Sequence, residues 1–291
     1  MALRDRLTFY AYVAAARLAQ ALPERSVPAL GRVAGRMGGL PQRRAREVAA
    51  ANQRRVTGRD DPGAVDRVFE WYGRYWLEIL RMPAELRRGR LGEHFTIEGF
   101  EHIERAAAAG KGIILATPHL GGWEWGAAWL ASKGYHLLAV VEDLDNPEVL
   151  QWFARQRKAF GLEVVPLGPD VSARCVKALR DNQVVCLVSD RDLTGDGVEV
   201  EFFGERTTLP AGPATLALRT GAALIPSVVY FRDGLMHHTV VHAPLPTERA
   251  GRLRDDIVRI TQDLARVFEE FVAAEPAQWH VLQPNWPSDR R

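Results

Sequence analysis

From residue 94 onward the chain alternates short apolar runs with longer helical patterns, and this alternation constrains the fold more than any other feature. The apolar runs fall at residues 95–97, 112–117, 136–141, 164–167, 184–189, 198–203, 224–231 and 236–242. Helical patterns occupy 101–109, 123–132, 147–160, 171–182 and 212–220 between them, and a long one at 253–274 follows. Strands separated by helices pair in parallel and carry helices on their faces. The last two runs are joined only through "RDGL" at 232–235, too short for a crossover, so they form a hairpin. The expectation is an α/β fold with a mixed, mostly parallel central sheet, helices on both faces and a helical N-terminal extension.

The first 90 residues have a different texture. Helical patterns lie at 7–23, 42–56 and 64–82, the last opening after Asp61-Pro62 and carrying an aromatic stripe through Phe69, Trp71, Tyr72, Tyr75 and Trp76. Two units are therefore expected: a helical, basic extension over 1–90 and one continuous α/β domain over 91–291. Residues 1–60 hold twelve Arg and no Lys against Asp5, Glu24, Glu47 and Asp60, a local charge of +8 in a chain whose total is only +2. Such a front attracts nucleic acid or an anionic membrane face. "LTFYAYVAAARLAQALP" at 7–23 favours the membrane: it is interrupted by Arg17, ends at Pro23, and falls short of the roughly 20 apolar residues that a spanning helix needs. A helix lying in the interface, with Arg4, Arg6 and Arg17 at the headgroups, fits it; an ordinary core helix is the alternative. No motif with interleaved aromatics supports a nucleic-acid partner. Two cysteines, Cys175 and Cys186, each in an apolar pattern, read as free thiols in a reducing compartment.

Chemistry gathers at "GIILATPHLGGWEWG", residues 112–126. His119 stands just past a buried strand, Gly121 and Gly122 make a tight turn, and Glu124 falls in the first turn of the next helix. Functional groups in open α/β sheets collect at such strand ends. A histidine held by a carboxylate is a competent general base, and Glu124 is the expected carboxylate. With eight His and 36 acidic residues in 291, about one His-x4-Asp/Glu spacing is expected by chance and one occurs. The spacing carries nothing; the position carries the inference. N–H groups of Gly121 and Gly122 are candidate oxyanion donors. A second cluster begins at another strand end with Asp190, Arg191 and Asp192 and continues into Glu199, Glu201, Glu205 and Arg206. Of these, Asp190, Arg191, Glu199, Glu201, Glu205 and Arg206, together with Arg157, are expected to bind substrate. The spacing leaves open which of Glu199, Glu201 and Glu205 faces the site. "HHTVVH" at 237–242 has no nearby cysteine or HExxH helix, so no metal site is expected.

"HLGGWEWG", "DRD", "VEVEFFGE", "AGPATLALRTGAALIP" and the tail "QWHVLQPNW" follow one another in an order that resembles the bacterial acyltransferases adding late acyl chains to lipid A. Within that superfamily the chain is most similar to the actinobacterial phosphatidylinositol mannoside acyltransferases, from about Leu7 to Trp286. The resemblance implies an O-acyltransferase at the cytoplasmic face of the inner membrane. Its co-substrate would be acyl-CoA, palmitoyl-CoA in particular, with no permanently bound cofactor. Its acceptor would be an anionic glycolipid, with a mannose hydroxyl as the nucleophile. The family's His-x4-Asp/Glu motif falls on His119 and Glu124, as base and supporting carboxylate. Pro118 replaces the Asn that precedes the histidine in glycerolipid acyltransferases, and "FFGERT" stands where those carry Phe-Pro-Glu-Gly-Thr-Arg, so acylation of a sugar is favoured over that of glycerol phosphate. The competing readings are a thioesterase or lipid hydrolase using the same base, and a non-catalytic basic membrane-binding protein.

Overall fold

The computed structural model describes residues 3–142 and 146–290, with the side chains of Leu3, Arg4 and Arg290 outside that description. Four helices come first: α1 (Leu3–Ala21), α2 (Val27–Gly39), α3 (Arg43–Thr57) and α4 (Ala64–Arg88). There follow β1 (Phe95–Glu98), α5 (Phe100–Ala108), β2 (Ile113–Thr117), α6 (Trp123–Ser132), β3 (Leu137–Val141), α7 (Pro147–Ala159), β4 (Leu162–Pro166), α8 (Val171–Arg180) and β5 (Val184–Val188). The chain ends with β6 (Val198–Phe202), β7 (Glu205–Leu209), α9 (Gly212–Thr220), β8 (Ala223–Phe231), β9 (His237–Val241) and α10 (Leu253–Ala274).

Seven strands form one sheet in the order β1-β9-β8-β2-β5-β3-β4. Every neighbouring pair is parallel except β8 and β9, the expected hairpin, so the sheet is mixed and mostly parallel as the alternation requires. Because side chains alternate across a strand, β2 sends Ile114 and Ala116 to one core and Ile113 to the other. The first core is closed by α8, α9 and α10, and the second by α5, α6 and the end of α4. Both cysteines are buried free thiols, and burial pushes Cys186 up to about 12.

The sequence differs from the structure in two places. The run at 198–203 does not join the main sheet; as β6 it pairs antiparallel with β7, which the pattern did not reveal. The turn between them runs through Phe203 and Gly204, both at positive φ. The second difference is α2, which has four glycines in thirteen residues and so a poor intrinsic propensity. Tertiary contact explains it. Gly31 and Gly35 lie against the backbone of α4 at Phe69, Gly73 and Arg74, so the two helices approach without intervening side chains. We expect Gly35→Ala to cost about 1–3 kcal/mol through overpacking. Gly38→Ala, which meets open space, should be neutral or stabilising. Thermal unfolding of the two variants checks this.

The helical extension is pinned to the sheet by buried charge. Arg74 donates to Glu78 at 2.5 Å and to the carbonyl of Arg232 at 2.8 Å, while the other Glu78 oxygen meets His237 Nε2 on β9 at 2.8 Å. Burial works to raise the Glu78 carboxyl, but His237 and Arg74 outweigh it and hold it below the usual range. His238 and His242 turn to Thr96 and to the carbonyl of Ala243, so the "HHTVVH" histidines serve separate partners.

Candidate active site

β2 and β5 are adjacent parallel strands in the middle of the sheet, with Thr117 paired to Val188. Each chain continues two residues past that pair, which brings His119 beside Asp190. His119 Nδ1 lies 2.6 Å from Asp190 Oδ1, and the His119 backbone N–H donates to Oδ2 at 2.9 Å. Trp279 Nε1 donates to the same Oδ2 at 2.8 Å, and Asn285 donates to the Asp190 carbonyl at 3.0 Å. The aspartate is fully buried. Burial alone would raise its carboxyl, but the imidazole and these donors outweigh that and hold it below the usual carboxylate range. An ionised carboxylate only accepts, so in the neutral imidazole Nδ1 carries the proton and Nε2 the lone pair. The ring is about one-third exposed and borders the main cleft, so the lone pair meets the cleft.

The expected partnership of His119 with Glu124 is corrected by this geometry. Glu124 is buried in the first turn of α6 and accepts from Tyr75 Oη at 3.1 Å and from Arg157 Nη2 at 3.0 Å. Burial raises its carboxyl above the usual range, with Arg157 the main opposing influence. Positions five apart diverge on a helix, and the 119–122 segment does not turn Glu124 back. Instead Leu120 bridges to Trp279, and the N–H groups of Gly121 and Gly122 donate to the carbonyls of Gln278 at 3.0 Å and Val229 at 2.9 Å. Those two N–H groups are therefore committed to the fold rather than to an oxyanion, a second correction. Gly121 is required there: φ is +62° and a Cβ would overlap the Val229 carbonyl oxygen.

Asp190 itself was expected to bind substrate; its burial and bonding make it the imidazole's partner. Arg157 and Arg191 do line the cleft, Arg191 being held by Glu142 at 3.1 Å and by Gln283. Glu199, Glu201, Glu205 and Arg206 do not. The β6–β7 hairpin buries Val200, Phe202, Thr207 and Leu209, which leaves the alternate residues outside. Glu199 pairs with Arg206 on that outer face, and Glu205 pairs with Arg55 at 3.0 Å.

The cleft has a volume of about 450 Å³, within the range of small-molecule sites. Its polar lining includes His119, Ser189, Arg157 and Arg191, and its apolar walls include Val140, Leu150, Phe153, Leu167, Leu187 and Leu216. Tyr75 and Trp76 of the aromatic stripe on α4 line it too. Sequence reasoning missed Trp279, Asn285 and His280. The His280 N–H donates to the His119 carbonyl at 2.7 Å, and its ring packs 5.4 Å from those of both Tyr72 and Tyr75. Burial, reinforced by the neighbouring His119, pushes His280 down to about 3, so it stays neutral beside the candidate base. The "QWH" tripeptide was visible in the sequence, but nothing local tied it to His119.

The chain is similar to known proteins over most of its length. A phosphatidylinositol mannoside acyltransferase of Mycolicibacterium smegmatis (strain ATCC 700084 / mc(2)155) is 38% identical over 298 residues, covering 99% of this chain and 94% of that protein. One from Mycobacterium tuberculosis (strain CDC 1551 / Oshkosh) is 38% identical over 296 residues, covering 97% and 89% respectively. A lipid A biosynthesis acyltransferase of Haemophilus influenzae is 28% identical over 185 residues, covering 62% of this chain and 55% of its own length. Residues 2–288 match the family described as bacterial lipid A biosynthesis acyltransferase, and the chain belongs to that family.

Proposed function

We propose that this protein transfers a long acyl chain, palmitoyl, from acyl-CoA to a sugar hydroxyl of a glycolipid, the mannose of a phosphatidylinositol mannoside. The observation that carries the proposal is the His119–Asp190 pair, with His119 lining a mostly apolar cleft. The near full-length likeness to phosphatidylinositol mannoside acyltransferases supports the choice of acceptor.

In this reading His119 Nε2 takes the proton of the acceptor hydroxyl as its oxygen forms a bond to the thioester carbonyl carbon. The imidazolium is stabilised by the Asp190 carboxylate. The tetrahedral intermediate then collapses, breaking the carbon–sulfur bond, and the imidazolium returns the proton to the leaving thiolate. Ester and free thiol result, and His119 is neutral again. Arg157 and Arg191 hold phosphates of donor or acceptor, for which their planar forks are suited. The apolar walls take the acyl chain. Residues 1–90 serve as a membrane-associating extension and 91–291 as the catalytic domain, working on the cytoplasmic face of the inner membrane.

The test follows labelled palmitoyl from palmitoyl-CoA with and without mannosylated phosphatidylinositol. Label appearing in the glycolipid, with little free palmitate, is the expected result. Palmitate released at a rate indifferent to acceptor would assign the site to a hydrolase instead.

A further inference from the structure

α1 and α2 are built inside out. On α2, beyond the buried Val27 and Pro28 of its first turn, Gly31, Gly35 and Gly39 face inward against α4, while Leu30, Val33 and Met37 point outward and Leu40 extends their stripe. At about 100° per residue the glycines and this stripe lie on opposite sides of the helix. α1 repeats the arrangement: Ala16 and Ala19 are buried, whereas Leu7, Tyr10 and Leu18 are 59–70% exposed. Among the described residues nine large hydrophobic side chains are exposed, and these seven account for most of them. In water such a placement is backwards, because the small side chains occupy the interior and the large ones forgo burial. Against hydrocarbon it is favourable, since small residues let helices pack closely and large apolar ones meet the lipid.

The charge around the stripes fits the same occupant. Arg6, Arg17, Arg25 and Arg32 are exposed and make no ion pair or hydrogen bond among the described residues. Four unpaired cations would repel a second copy of the same face, whereas anionic headgroups would neutralise them. No helix among the described residues is long and apolar enough to cross a membrane, so contact is side-on.

We infer that the outer faces of α1 and α2 together form one plate that lies in the surface of an anionic bilayer, with α2 inserted as well as α1. This rests on the membrane-side reading above and adds which residues enter the lipid. It also positions the cleft. The inner side of α1 places Tyr12 5.5 Å from Phe153 and 6.4 Å from Trp76, both cleft-lining, so one helix thickness of about 10 Å separates bilayer and cleft wall.

The test uses the full chain with an environment-sensitive fluorophore at Met37→Cys or, as control, at the exposed Leu253→Cys where α10 begins; the native thiols are buried. With vesicles of phosphatidylcholine and phosphatidylglycerol the probe at 37 should shift to the blue and the probe at 253 should not. The shift should weaken with phosphatidylcholine alone and with added salt. The double variant Val33→Asp/Met37→Asp should lose vesicle binding by at least about tenfold, while keeping parent-level transfer to detergent-dispersed acceptor. An unshifted probe at 37, or equal shifts at both positions, would overturn the inference. So would a dimer in vesicle-free buffer that the double variant dissolves, which would give the face to a second copy. Failure of the parent protein to acylate in detergent would instead count against the proposed reaction and leave the vesicle result standing.

Discussion

His119→Ala should reduce acyl transfer by about 10²–10⁴-fold while leaving the protein folded, since general-base catalysis typically contributes that much. The ring is one-third exposed and borders the cleft, so its truncation opens no core cavity. Its removal does leave Asp190 buried without the partner that opposes its desolvation. Part of the expected effect is therefore a modest loss of thermal stability, which must be measured alongside activity. Steady-state rates on labelled palmitoyl-CoA, paired with thermal melts, separate the two. A folded variant turning over at the parent rate would eliminate His119 as the base.

Asp190→Asn should be nearly as damaging, for a reason that is a matter of proton inventory. Oδ2 already accepts from the His119 N–H and from Trp279, so the retained amide oxygen must stay there. The new NH2 then faces Nδ1 and forces it to accept, which moves the imidazole proton to Nε2. A histidine in that tautomer presents a donor to the cleft and cannot take a proton from a hydroxyl. A fall in kcat of about 10²–10⁴-fold with little change in KM is expected. Glu124→Gln provides the contrast. Its amide oxygen still accepts from Tyr75 and Arg157, and what is lost is the charge opposite Arg157. The cost should appear as about 1–3 kcal/mol of stability and a raised KM, not as a collapse of kcat. If Glu124→Gln lost kcat as deeply as His119→Ala while Asp190→Asn remained active, the assignment of carboxylates would be reversed.

The His119–Asp190 pair shows where local sequence stops being informative. His119 was identifiable because "IILATPH" ends a buried strand before a glycine turn, a fact of contiguous residues. Its partner lies 71 positions away. Glu124 looked like the partner because it was near in the chain, yet α6 carries it to Tyr75 and Arg157. "DRD" did mark Asp190 as standing at a strand end; only the pairing of β2 with β5 says that the two strand ends are neighbours. The glutamates of β6 and β7 failed as site residues because that hairpin leaves the main sheet, which no periodicity in 198–209 announces.

The sequence by itself determined the α/β class, the two-sided burial of the sheet, the hairpin at 232–235, the basic N-terminal front and the place of His119 at a strand end. All of these follow from composition and from periodicity along contiguous chain, where backbone geometry alone fixes which side chains share a face. Strand order, the identity of the carboxylate, the commitment of the Gly121 and Gly122 N–H groups, and the helix at 27–39 were decided by the tertiary structure. In each case contacts between distant segments outweigh local preference. A glycine-rich stretch becomes helix because α4 needs a close neighbour, and an imidazole finds its carboxylate because two parallel strands end side by side.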